Sequence, residues 1–258
     1  MFKRAAVLML NCGVLLSGCG PDSHARNAEL LSNLTEAGFR PDDITVVDDA
    51  VYVGGDAHVP LAASREMLQR GEGSKEHFRT TNIVGSSVTR ICVNPTAEFR
   101  SHVRLNQGLD MALANYNALG LRITFVRSPA TGCSANITAK TMAGDGHAAG
   151  FPSGGLPYGT ISIGTGLNSY GVDVSEHVIT HALGHTIGLR HTDLFNPSIS
   201  CGSGGGGGVI EPTGTGALHI PGTPTGATPG GSIMNACYPP DTDGEFTPSD
   251  IVALNYMY

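Results

Sequence analysis

Apolar positions along this chain change period several times, and each change marks an element. Ala28, Leu30, Leu31, Leu34 and Ala37 fall on roughly one side of a helix that Asp22-Ser23 can cap and Gly38 can end. Residues 44–47 and 51–53 are short β-branched runs with Asp48-Asp49 between them, which predicts a hairpin. Residues 60–69 read as a second short helix, and 71–81 as a polar, exposed linker open to cleavage. From Asn82 onward the elements lengthen. Residues 83–93 predict a strand, and 101–119 a long helix burying Val103, Leu109, Ala112, Leu113 and Tyr116 before Gly120 stops it. Strands follow at 121–126, 135–140 and 159–163. A further helix, opened by Asp173 or Ser175, has Val178, Ile179, Leu183 and Ile187 as its apolar positions. Residues 193–231 are irregular, and the run 204–208 reads as flexible linker. Thr247-Pro248-Ser249-Asp250 starts a last helix with Ile251, Leu254 and Tyr258 inward. This order predicts an α/β fold, a twisted sheet packed on two long helices.

Composition sharpens this outline. Glycine numbers 36, more than half of it between Gly144 and Gly231, so the C-terminal half should be rich in loops. The net charge of −7 argues against nucleic acid or anionic headgroups as partners. The first residues form a targeting segment: Lys3-Arg4, an apolar run from Ala5 to Leu16, then small residues. That run is too short to span a bilayer as a helix. Leu16-Ser17-Gly18-Cys19 resembles a bacterial lipobox. It implies a signal peptide over 1–18, a lipid anchor on Cys19, and a chain exported to the cell envelope or secreted. In an oxidising compartment Cys92, Cys133, Cys201 and Cys237 allow three disulfide connectivities. Cys92–Cys133 with Cys201–Cys237 is favoured, because the second bond would tie the glycine-rich loop at its base.

The chemistry concentrates in His181-Ala-Leu-Gly-His185-Thr-Ile-Gly188-Leu-Arg-His191. Histidines four apart on a helix project from one face. Gly188 can take the positive φ that ends the helix, and His191 can then join the pair around a metal. Three neutral imidazoles and one open position describe a catalytic zinc site. His177 lies one turn earlier, but three points along a straight helix do not surround an ion, so it is expected at the surface or behind the ligands.

These residues resemble the metzincin metallopeptidases, whose motif is H-E-x-x-H-x-x-G-x-x-H, and Gly230-Gly-Ser-Ile-Met234-Asn-Ala resembles their Met-turn. Thr192-Asp193, His219-Ile-Pro-Gly-Thr-Pro-Thr225 and Ala149-Gly-Phe-Pro-Ser153 are similar to the M57, or HEIGH, branch. The resemblance covers about residues 82–258. It implies a metzincin-like catalytic domain with a zinc-binding active-site helix and a loop-rich C-terminal half. His181, His185 and His191 would be the zinc ligands and Met234 the Met-turn residue. The reaction would be hydrolysis of internal peptide bonds in a protein or peptide substrate, by a monomer. A peptide should lie between the histidine helix and an edge strand near 135–140. Tyr238 comes four residues after Met234, where the family's tyrosine comes two after, so it fits poorly as a transition-state helper. Asp193 either orients a ligand histidine or caps a loop.

Two departures matter. Ala182 stands where the family has its general-base glutamate. General acid–base assistance is typically worth about 10²–10⁴-fold, so zinc binding should survive and turnover should be crippled. The alternatives are a non-catalytic lipoprotein that keeps zinc and peptide binding, a pseudoprotease, or a structural zinc lipoprotein with no peptide ligand. In the leading segment, residues 20–81, Tyr52-Val53-Gly54-Gly55-Asp56 resembles the aspartate switch of astacin-type propeptides. The relatives' glutamate is Gly54 here. Asp56 is then expected to offer its carboxylate to the open metal position, or to serve as a simple turn residue.

Overall fold

A computed structural model describes residues 23–37, 39, 41–68, 77–194, 196–202, 217–224 and 226–258. The signal segment, Cys19 and the run 204–208 lie outside the described residues. In chain order the elements are α1 (Ser23–Glu36), β1 (Ile44–Val47), β2 (Ala50–Val53), β3 (Ala57–His58), α2 (Leu61–Met67) and β4 (Phe78–Arg79). They continue with β5 (Arg90–Pro95), α3 (Ala97–Ser101), α4 (Val103–Ala118), β6 (Thr124–Arg127), β7 (Ala135–Met142), β8 (His147–Gly150) and β9 (Thr160–Gly164). The chain closes with α5 (Val172–Thr186), α6 (Ser198–Cys201), β10 (Leu218–His219) and α7 (Pro248–Met257).

The expected mixed α/β architecture is present. Eight strands form one mixed sheet in the order β1-β2-β3-β8-β9-β7-β5-β6. Strands β9, β7, β5 and β6 run parallel, β8 is antiparallel to β9, and β3 joins β8 in parallel. The leading segment therefore extends the sheet that the rest of the chain builds. It also has its own small core, in which Leu30, Leu34, Phe39, Val51, Val53 and Met67 pack with Phe151. The main core lies among the sheet, α4, α5 and α7. Leu105, Leu109, Ala112, Leu113 and Tyr116 supply the buried face of α4 at helical spacing. Gly108 brings α4 close to α5, since a Cβ there would stand 2.8 Å from Glu176 N.

Several expectations change. The strand at 135–140 is not an edge: β7 lies between β9 and β5. The strand beside the histidine helix toward the leading segment is β8, within a glycine-rich stretch. Residues 83–89 are not a strand, because the carbonyls of Val84, Gly85 and Val88 turn onto the Arg122 guanidinium. The end of the expected exposed linker is buried at His77, Phe78 and Thr80, because β4 pairs with β10 and Arg79 bridges Leu189. Val103 is exposed at the first turn of α4 and Ile251 is only partly buried in α7, while His177 is buried, which leaves of its two expected places the one away from the surface. Helix α5 begins earlier than expected, with Gly171 as its N-cap. The disulfides Cys92–Cys133 and Cys201–Cys237 are both formed.

Candidate metal centre

Helix α5 is buried on all sides from Val174 to Thr186, and it carries His181 and His185 into the interior on one face. It ends at Thr186, and Gly188, whose φ is 109°, turns the chain; a Cβ there would stand 2.9 Å from Asn82 O. Backbone bonds from Thr80 N to Gly188 O and from Arg190 N to Phe78 O, both 2.8 Å, then draw the chain back. His191 thereby arrives opposite the helix.

The three Nε2 atoms converge. His191 Nε2 lies 3.2 Å from His181 Nε2 and 3.3 Å from His185 Nε2. His181 Nδ1 bonds to Ile233 O at 2.9 Å and His185 Nδ1 to Leu189 O at 2.8 Å. A carbonyl only accepts, so both Nδ1 atoms carry the proton and both Nε2 lone pairs face the centre. Lone pairs so opposed suit a cation between them.

Asp56 completes the group. Its Oδ2 lies 3.0 Å from His181 Nε2 and 3.3 Å from His185 Nε2, and its Oδ1 lies 3.3 Å from His191 Nε2. Ligands bonded to a tetrahedral zinc at about 2.0–2.1 Å stand about 3.3–3.4 Å from one another. The measured separations are close to that tetrahedron's edges, and the donor set, three imidazoles and a carboxylate, is one that zinc accepts. Among the described residues these four form the metal-capable cluster. Gly54 and Gly55, with φ of 64° and 85°, turn β2 toward β3 and present Asp56. A Cβ on Gly54 would stand 2.8 Å from the His191 ring, which explains glycine there.

Electrostatics suit a buried ligand set. Burial alone would push the Asp56 carboxyl up, but the neighbouring His191 and His185 outweigh it and hold it well below the ordinary carboxylate value. Burial pushes His181 well down and His185 down, toward the neutral imidazole a metal binds. At His191 burial also pulls down, yet Asp56 raises the ring above its ordinary value.

Met234 is fully buried, with Sδ 2.6 Å from where a Cβ on Gly184 would stand, so it sits directly under the histidine helix. Thr192 N bonds to Met234 O at 2.9 Å, tying the third histidine's strand to this turn. Asp193 caps the loop: its carboxylate accepts from Ala236 N and from Ser200, beside the Cys201–Cys237 bond. Tyr238 lies against His177, ring centroids 4.7 Å apart, and His177 Nδ1 meets Thr242 Oγ1 at 2.7 Å. Ala182 is fully buried.

Two residues at the site were not singled out from the sequence. Asp250, read there only as a helix-start acid, accepts from Ile233 N at 3.0 Å, Ser232 Oγ at 2.5 Å and Thr247 N at 2.9 Å, and meets His77 Nε2 at 2.9 Å. His147, on β8, places Nε2 2.8 Å from Asp56 Oδ2 and its ring edge-on to His181 at 5.0 Å.

A buried three-histidine centre at the end of an active-site helix, under a mixed sheet, has the make-up of a zinc metallopeptidase. The chain belongs to the M57 family: the profile described as dual-action HEIGH metallo-peptidase matches residues 51–258. No curated protein matches the chain. Among solved structures it is similar to high choriolytic enzyme 1, a hatching-enzyme zinc-protease from the medaka fish Oryzias latipes. There the identity is 18%, with 43% of this chain and 48% of that chain covered and a TM-score of 0.29. The chain thus spans about half the length of that enzyme. It is also similar to myroilysin, at 13% identity, 67% and 84% coverage and a TM-score of 0.39.

Proposed function

We propose that this chain is a zinc-dependent metalloendopeptidase held silent by its own leading segment. The observation that carries the reading is the Asp56 carboxylate closing the histidine centre, with Oδ2 3.0 and 3.3 Å from the His181 and His185 Nε2 atoms and Oδ1 3.3 Å from that of His191. Bound there, zinc would polarise a peptide carbonyl and acidify a water. The protein supplies the rest. Ile233 O and Leu189 O aim the imidazoles, Met234 underlies them, and β8 offers an edge for an extended peptide once β3 leaves it. With Asp56 in place neither water nor carbonyl reaches the centre.

Residues 20–81 are the pro-segment in this reading, and 82–258 the catalytic domain. Removal of 20–81 would take β3 and Asp56 away from β8, and β4 away from β10 and Leu189, while β8 keeps its pairing with β9. Residues 1–18 are the signal peptide and Cys19 the lipid anchor, which places the protein in the cell envelope or outside the cell, as a monomer acting on proteins or peptides. Ala182 removes the carboxylate that would take the water's proton, so turnover is crippled rather than metal binding. The same alanine favours the second reading, a pseudoprotease that binds zinc and peptide without cleaving.

The test is a protein-substrate assay of the full chain beside Ala182→Glu and Ala182→Glu/Asp56→Ala, with and without chelator. The expected result is chelator-sensitive cleavage that rises with Ala182→Glu and rises again, before any proteolytic processing, with Asp56→Ala. Zinc binding without cleavage in every variant would support the pseudoprotease. Equal activity with and without Asp56 would leave that residue as a turn.

A further inference from the structure

We propose that His147 is the proton acceptor of this site, in the role left empty by Ala182; this rests on the peptidase reading above. Asp56 Oδ2 stands 3.0 and 3.3 Å from the His181 and His185 Nε2 atoms, on the side from which an oxygen would enter the centre. His147 Nε2 is 2.8 Å from Asp56 Oδ2, within hydrogen-bond reach of whatever oxygen replaces it. The nitrogen is buried, and Asp56 Oδ2 is the group it faces. Once Asp56 leaves, a buried imidazole nitrogen beside a metal centre needs another occupant.

His147 also stays behind when the leading segment goes. Its strand pairs through His147↔Ile163 and Ala148↔Ser162 with β9, inside the catalytic part, whereas Asp56 leaves with β3. Other candidates are engaged elsewhere. Glu176 Oε1 accepts from Asn115 at 2.7 Å, and its carboxyl is pressed against Gly244. Tyr238 packs at a tilt against His177.

The proton path balances. The water oxygen bonds to the scissile carbonyl carbon as its proton passes to His147 Nε2. That proton then moves to the amide nitrogen as the C–N bond breaks, giving a carboxylic acid and an amine and returning His147 to its starting state. In the leader-bound form the same nitrogen faces Asp56 instead, so one residue serves the silent and the working state.

The experiment uses the zinc-loaded full chain carrying Asp56→Ala, with His147→Ala and the shape-conserving His147→Gln added, and zinc content measured in each. Calorimetry with acetohydroxamic acid reads the proton-accepting atom without turnover, and a fluorogenic peptide reads kcat and KM. Both His147 variants are expected to bind one zinc, to bind the hydroxamate about tenfold more weakly, and to lose about 10²-fold or more in kcat with KM little changed. With Ala182→Glu added, the His147→Ala loss should shrink below about tenfold, because a carboxylate again takes the proton. Unchanged kcat and hydroxamate affinity in the His147 variants would overturn the proposal. So would turnover by Asp56→Ala/Ala182→Glu beside none by Asp56→Ala. Zinc and hydroxamate binding with no turnover in any variant would instead refute the peptidase reading on which the proposal rests.

Discussion

The ligand histidines are aimed by backbone carbonyls, and those carbonyls are themselves held. Ile233, which fixes the His181 tautomer, is anchored through its N–H by Asp250. A buried carboxylate thus positions a ligand from two bonds away. Glu176, five residues before His181, makes the opposite kind of contribution. Burial, with smaller pushes from Glu245, Asp173 and Asp243, outweighs the pull of Asn115 and raises its carboxyl to about 7. A carboxyl raised in the folded state stabilises fully below its unfolded value, and that stability is lost as pH rises through about 7. Glu176→Gln should therefore raise Tm little at pH 4 and clearly at pH 8. A scan of Tm against pH checks this, and parallel curves for the two proteins would contradict it. At this scale the sequence spoke through spacing. His181, His185 and His191 were legible because a helix plus a glycine turn fixes where they point. Asp56 was legible only through a short resemblance. His147 follows Gly144-Asp-Gly146, where no apolar period announces a strand, so nothing local marked it.

Helix α4 supports α5 along a close contact. Tyr116 donates its hydroxyl to Thr180 O at 2.9 Å, and Gly108 lies against the Ser175–Glu176 backbone. Glycine inside a helix costs about 1 kcal/mol relative to alanine, so propensity alone would favour Gly108→Ala. A Cβ 2.8 Å from Glu176 N and 2.9 Å from Ser175 C meets backbone that cannot swing aside. Overpacking of this kind costs about 1–3 kcal/mol and should win. Chemical denaturation is expected to show a net loss of stability for Gly108→Ala, and a gain would refute the close packing. Helices α1, α2, α4, α5 and α7 were legible from apolar spacing and end signals. Strand order was less so. Strand β7 alternates buried and exposed residues, which matches a sheet with one open face. That alternation does not encode which strands lie beside it, so an interior strand read as an edge. Strand β5 starts late because Arg122, remote in sequence, claims the carbonyls of the preceding segment.

Across the molecule, two cores share one sheet. The leading segment packs its own apolar residues, reaches the main body through β3 on β8, and stacks Phe39 under the Arg190 guanidinium at 4.0 Å. Asp56 sits at the seam, so in the proposed zymogen, separating the two parts would also open the metal centre. Every role assigned to these side chains depends on a bound metal. Elemental analysis of the purified full chain, beside His181→Ala, His185→Ala and His191→Ala, tests it most directly. One zinc per chain is predicted, with loss in each of the three variants while the fold measured by circular dichroism persists. A chain that binds no zinc, or three variants that all retain it, would contradict the account.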